Sequence, residues 1–249
     1  LKLQLVRHAT LWLNYGGLQF LIDPMLGEAG AYPPITNSAN DKRNPLVPLP
    51  LSVDHWLNPD AVIVTHLHND HWDPEAVEKL PKSTPILCQL GDDSVFHSAG
   101  FEQVIPIVDQ LNRLGVILTR TGGRHGEGEI GQLMGNVSGF ILQADGEPTL
   151  YIAGDTIWCP EVRSAVDTYH PDMTIVNAGG ARFTVGDPIT MDDHDVVSLC
   201  RYAPDTNVIA VHMDAINHCL VTRSDLLRRL ELEKLTHQVL IPEDGQWIE

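Results

Sequence analysis

The chain has 249 residues, 43% of them apolar, so a substantial core is within reach and wholesale disorder is not expected. Its formal charge of -17, with no basic run, argues against a tight nucleic-acid partner, because phosphate binding depends on Lys and Arg. Cys88, Cys159, Cys200 and Cys219 form no Cys-x-x-Cys pair and read as reduced thiols. No stretch approaches the roughly 20 apolar residues of a bilayer span, and the N-terminus lacks a signal-peptide pattern, so a cytoplasmic protein without membrane insertion is the expectation.

Leu3–Val6, Leu11–Leu13 and Leu18–Ile22 read as short strands, the last two joined by the hairpin signal Asn14-Tyr15-Gly16-Gly17. From Leu26 to Pro59 the chain is rich in Pro, Asn and Gly and has no periodicity. Such a segment is either a lid or substrate loop, with Tyr32 and Trp56 supplying apolar contacts, or a packed structural loop. Ala61–Val64 is a buried strand by its β-branched run. Asp73-Pro74-Glu75 then starts a helix, with Asp73 as N-cap and Pro74 at the first helical position. Pro85–Cys88 follows as a strand, and a helix over Asp92–Ala99 stops at Gly100.

Val104–Val108, Val116–Thr119, Val137–Gln143 and Thr149–Ala153 continue the strands. Beyond them, helices over Pro160–Tyr169, Met191–Tyr202 and Thr222–Lys234 alternate with strands over Met173–Val176, Val208–Val211 and Val239–Ile241. Thr222 and Asp225 make an imperfect capping box. Strands crowd the early part and alternate with helices later, which predicts stacked sheets covered by helices in a single domain over residues 1–249. Each half has strands followed by helices, a weak two-fold echo without sequence repetition.

The chemistry is concentrated in Thr65-His66-Leu67-His68-Asn69-Asp70-His71, where three imidazoles and a carboxylate crowd the loop between a strand and a helix. Burying that many titratable groups is costly without a charge partner, so the spacing points to metal binding. The alternation lets His66 and His68 face one ion while Asp70 and His71 reach another.

These residues resemble the metallo-β-lactamase fold superfamily, whose His-x-His-x-Asp-His loop is followed by a further His, a bridging Asp and a final His. His125 in Gly122-Gly123-Arg124-His125-Gly126, Asp155 in Ala153-Gly154-Asp155-Thr156 and His212 after Val208–Val211 stand at those places in order, and Asp23-Pro24 resembles the early strand-ending Asp. The resemblance implies an α/β, four-layer αβ/βα sandwich of two mixed β-sheets flanked by helices. It implies His66, His68 and His125 on one divalent ion, Asp70, His71 and His212 on a second, and Asp155 between them. A hydroxide bridging the ions would attack a small-molecule substrate, with Asp70 orienting it or returning a proton. Imidazole and carboxylate donors suit zinc first, then manganese or iron.

His218 is either a residue lining the site or an outer support of a ligand. His194 reads as a solvated residue at a helix start. The glycines from Gly122 to Gly131 lack a Gly-Lys-Ser/Thr ending and so form no phosphate loop; they let the backbone carry His125 toward the cluster. Gly179-Gly180 either shapes a site-facing loop or simply turns the chain. Within the superfamily, Asp23-Pro24-Met25-Leu26 and the two motifs around His66 and Asp155 look most like the ascorbate-phosphate lactonase-like branch. The expected activity is hydrolysis of a small lactone or ester. A small phosphodiester, a mononuclear-iron oxidoreductase and a noncatalytic metal-dependent sensor are the alternatives. Arg43, Arg124 and Arg182 are the isolated cations available to a substrate phosphate, and the oligomeric state is open.

Overall fold

A computed structural model describes all residues from 1 to 249. The first sheet is built from β1 (Lys2–Arg7), β2 (Thr10–Tyr15), β3 (Leu18–Ile22), β4 (Ala61–Val64), β5 (Ile86–Gln89) and β6 (Val104–Ile107). The second contains β7 (Gln110–Arg113), β8 (Val116–Gly122), β9 (Ser138–Gln143), β10 (Leu150–Ile152), β11 (Met173–Asn177), β12 (Asn207–Val211) and β13 (Val239–Leu240). A final strand, β14 (Trp247–Ile248), returns to pair with β1, so each sheet has seven strands. The two-fold echo of the sequence is thus one sheet from each half.

Strand alternation sorts the side chains into three apolar layers. Leu11, Leu13 and Tyr15 of β2, Phe20 and Ile22 of β3, and Ile63 of β4 point between the sheets, where they meet Phe140, Leu142, Ile209 and Val211. The intervening residues Trp12, Leu21, Val62 and Val64 face outward, under α1 (Pro74–Lys79) and α2 (Asp93–Ser98). Ile141, Val208 and Ala210 do the same on the other side, beneath α4 (Pro160–Tyr169), α5 (Asp193–Tyr202) and α6 (Arg223–Glu233). The result is the expected four-layer αβ/βα sandwich. Its longest helix has 11 residues, and no helix is long and apolar enough to cross a membrane.

The helix signals act as their chemistry requires. Asp73 caps α1 by accepting from the Ala76 amide at 2.7 Å, with Pro74 at the first turn. Gly100 ends α2 with φ 89°, and Thr222 and Asp225 form both halves of the capping box on α6. Four elements were not expected from sequence, one of them the short 3-10 helix Val53–Trp56 inside the irregular segment. β7 is a polar edge strand, Gln-Leu-Asn-Arg, without the apolar run that marks buried strands. α3 (Gly128–Met134) contains two glycines and buries none of its residues, so neither propensity nor periodicity announces it. β14 is two residues long.

The segment over residues 26–59 is pinned rather than loose. The buried Arg7 guanidinium donates to the carbonyls of Val47, Met25 and Gly27 at 2.7–3.0 Å. Asp73 accepts from the Gly27 amide and the Tyr32 hydroxyl, at 2.7 and 2.8 Å. Asn217, also buried, holds Ile35, Ser38, Asn40 and Asn44. This favours the packed-loop reading, and the same segment also walls a cavity beside Asp70.

Because Phe140 is fully buried in the layer between the sheets, truncating it is expected to be costly. Phe140→Ala should lose about 3–5 kcal/mol of unfolding free energy, read from urea denaturation of the metal-free chain.

Candidate metal centre

Parallel β3–β6 and β10–β13 end at one edge of the sandwich, and β1 and β8 run in the same sense through their antiparallel neighbours. Every motif histidine follows the end of one of these strands, which is where open α/β sheets place their sites. His66, His68, Asp70 and His71 follow β4, His125 follows β8, Asp155 follows β10 and His212 follows β12. The fold thus gathers all seven residues of the expected set.

They form two groups, His66, His68, His125 and Asp155, and His8, Asp70, His71 and His212. Within each group one donor atom per residue lies within 4.8 Å of the others. Asp155 faces both groups. Its Oδ2 is 3.4 Å from His125 Nε2, 3.7 Å from His66 Nε2 and 3.3 Å from His71 Nε2, while Oδ1 is 3.3 Å from His212 Nε2.

The outward nitrogens are anchored, which fixes what faces inward. His71 Nδ1 donates to Asp23 Oδ2 at 2.8 Å, and His125 Nδ1 to the Ile189 carbonyl at 2.7 Å. His66 Nδ1 lies 3.0 Å from the Thr65 hydroxyl, and His212 Nδ1 lies 3.5 Å from Cys219 Sγ. With Nδ1 carrying the proton, Nε2 presents a lone pair. Yet His66 Nε2 and His125 Nε2 sit 3.0 and 3.2 Å from His68 Nδ1, and His71 Nε2 sits 3.3 Å from His212 Nε2. Converging lone pairs at these distances repel unless a proton or a metal cation lies between them, and imidazoles and carboxylates gathered in this way fit divalent metal ions.

The electrostatics agree. Burial, then the neighbouring His71, holds the His66 imidazole well below its ordinary value, and burial lowers His125. Burial lifts the Asp155 carboxyl, but the imidazoles of His212 and His71 more than reverse this and hold it well below the usual carboxylate range. Asp70 is likewise raised by burial and brought far down by His71, His212 and His8. His71 runs the other way, since Asp155, Asp70 and Asp23 outweigh its burial and raise it well above the imidazole range.

A β-lactamase superfamily domain model matches residues 19–213, a span that includes all seven motif histidines and aspartates and ends one residue past His212. The chain belongs to the β-lactamase superfamily. The UPF0173 protein YddR of Bacillus subtilis (strain 168) is 37% identical over 246 residues, 97% of this chain and 96% of that one. A crystal structure of isothiocyanate hydrolase from Delia radicum gut bacteria is 36% identical with a TM-score of 0.96, covering 100% of this chain and 99% of that one. A possible metal-dependent hydrolase from Veillonella parvula DSM 2008 is 36% identical, with a TM-score of 0.96 and coverage of 99% and 98%.

For a superfamily member the fold also explains residues outside the metal-donor motif. Asp23 ends β3 and accepts from the Thr65 amide and hydroxyl, both at 2.7 Å, so it fixes the start of the histidine loop as well as His71. Gly126, with φ 92°, turns the chain directly after His125. Gly179 faces the site: a Cβ there would meet the His212 carbonyl at 2.1 Å. His218 is buried, with Nδ1 lacking a partner, and burial pushes it down to about 4 against the pull of Asp70. His194 is exposed, as expected.

Two participants escaped the sequence reading. His8 Nε2 lies 3.0 Å from Asp70 Oδ2, and its ring lies on that of His212 with centroids 3.6 Å apart. Asn177 donates to Asp155 Oδ1 at 2.6 Å. His8 stands alone in Val6-Arg7-His8-Ala9, with no second ligand nearby in sequence. Its position after a strand was the one signal available.

Two outcomes follow for metal uptake. Asp23→Asn should weaken metal affinity by about 10- to 100-fold, read by competition with a chromogenic chelator. Asp155, Asp70 and Asp23 raise His71 in the metal-free chain, so metal competes there with a more tightly held proton. Affinity should therefore climb as pH rises toward the His71 value, and calorimetry in buffers of different ionisation enthalpy should show proton release.

Proposed function

We propose that this chain is a two-metal hydrolase that adds water to a small uncharged electrophile, with an isothiocyanate as its leading substrate class. The observation that carries the two-metal reading is the Asp155 carboxylate facing both groups of imidazoles. His66, His68 and His125 would hold one cation, Asp70, His71 and His212 the other, and Asp155 both; zinc suits these donors first, then manganese or iron. Such ions supply an activated water at neutral pH and polarise the bond it attacks.

The chain's own residues set the geometry around that water. Asn177 fixes the Asp155 carboxylate, Asp23 fixes His71, and His8 fixes one oxygen of Asp70. Asp70 also lines the adjacent cavity, so its ionised carboxylate is placed to orient the water and pass a proton onward. With an isothiocyanate, the water oxygen bonds to the central carbon, the C=N bond becomes C–N, and the proton reaches nitrogen. The resulting thiocarbamate then releases an amine and carbonyl sulfide. With a lactone or ester, the same attack expels an alkoxide, which takes the proton.

The isothiocyanate is preferred because the solved isothiocyanate hydrolase matches this chain from end to end at 36% identity. A small lactone or ester makes the same demand on the site and is the second reading. A phosphodiester or sugar phosphate fits less well. Arg124 pairs with Glu161 at 3.0 Å, Arg43 donates to the Gly30 and Ala31 carbonyls, and Arg182 lies 4.0 Å from Asp192. A mononuclear-iron oxidoreductase would leave one group of donors without a task, and a noncatalytic sensor would give Asp70 no reason to face a cavity.

The test is turnover of 2-phenylethyl isothiocyanate, a γ-lactone, a p-nitrophenyl ester and bis-p-nitrophenyl phosphate by the zinc- and manganese-loaded protein. The isothiocyanate should give the largest kcat/KM. Asp155→Ala and His66→Ala should each lower it by at least about a thousandfold, roughly 4 kcal/mol of barrier. Undiminished turnover in both variants would sink the mechanism.

A further inference from the structure

Beside the metal centre lies a cavity of about 290 Å³, bounded by Met25, Tyr32, Pro33, Pro34, Ile35 and Ile216, and reaching Asn69 and Asp70 on the histidine loop. It contains no lysine, arginine or histidine, and Asp70 is its one carboxylate. Two of its polar side chains are already engaged. The Tyr32 hydroxyl donates to Asp73 at 2.8 Å. The Asn44 amide donates to Asn217 Oδ1 at 2.8 Å and accepts from the Asn217 backbone at 2.9 Å. What remains for an occupant is mainly apolar surface.

The shape is held from outside. Asn217 follows Ile216 on one wall and bonds both backbone groups of Ile35 on the facing wall, at 2.9 and 3.1 Å. Its Nδ2 also donates to the Ser38 hydroxyl and the Asn40 carbonyl, at 2.6 and 2.9 Å. One buried amide thus sets the gap between the two isoleucines.

We propose that this cavity is the subsite for the substrate's own substituent, and that it selects an uncharged alkyl or arylalkyl group of about the size of phenylethyl. This deepens the reading of the previous subsection and rests on it for the position of the reacting carbon next to Asp70. The volume is about twice the ~150 Å³ apolar cavity that accepts benzene, which leaves room for a ring and a short linker. An anionic substituent lodged among Met25, Pro33, Pro34, Ile35 and Ile216 would lose its hydration and find no lysine, arginine or histidine in the wall to meet it.

The experiment uses the metal-loaded protein, Ile35→Trp, which fills the cavity from a half-buried loop position, and Ile216→Phe, which fills it from the opposite wall. The first measurement is binding of 2-phenylethanol, an unreactive probe, against 4-(2-hydroxyethyl)benzoate, which keeps the hydroxyethyl end and carries its charge on the ring. The second is the ratio of kcat/KM for 2-phenylethyl over methyl isothiocyanate. The wild type should bind the alcohol at least about tenfold better than the anion, and each variant whose metal content is intact should lower the ratio at least about twentyfold. An unchanged ratio in a metal-replete variant, or equal binding of alcohol and anion, overturns the subsite. If no isothiocyanate is turned over but 2-phenylethanol binding is still lost in Ile35→Trp, the proposed reaction fails and the subsite stands. Turnover with a ratio indifferent to both substitutions is the reverse case.

Discussion

The structure depends on a concentration of imidazole and carboxylate groups that an apolar interior would not tolerate alone. Asp155 is surrounded by His66, His71, His125 and His212, all of them buried. In such a place each charge is held by its neighbours or by a cation, because the cost of leaving one unpaired is several kcal/mol. The outward hydrogen bonds then follow as a requirement. Asp23, Asn177, Thr65 and the Ile189 carbonyl each fix one group, so that lone pairs and carboxylate oxygens meet at chosen points.

Backbone conformation is bent to the same end. His8, Asp23 and His212 all have positive φ, at 61°, 44° and 67°, a region that costs a non-glycine residue on the order of 1 kcal/mol. They sit where β1, β3 and β12 release the chain, and each is tied to the site. The His212 amide donates to the His8 carbonyl at 3.0 Å, so two of the strained turns brace each other across the two sheets. Strain held this way by surrounding contacts is a mark of sites whose geometry must not drift.

Much of this was legible in the residues, and the reason differs from case to case. The His66–His71 loop declared itself because its donors are neighbours in sequence, and β4 and α1 around it have unambiguous strand and cap chemistry. His125, Asp155 and His212 needed the order of a family pattern to be connected with it. His8 was invisible because its partner Asp70 is 62 residues away, and a lone histidine carries no spacing. The same holds for Asn217, whose bonds to Ile35 and Asn44 span 182 and 173 residues. The loop over residues 26–59 could be recognised as irregular, but its rigidity belongs to Arg7, Asp73 and Asn217. β7 and α3 were lost for local reasons, one too polar and the other too rich in glycine.

Each group of donors draws on both sheets. His66 and His68 leave the first sheet and meet His125 and Asp155 from the second; His8, Asp70 and His71 leave the first and meet His212 from the second. A cation bound by either group would therefore be a rivet across the seam of the sandwich. Neither half of the chain carries a complete group of donors, so full coordination of a cation would wait until the C-terminal sheet has docked on the N-terminal one. Loading would then be the last act of assembly, and a bound ion would hold shut the edge that carries the candidate site.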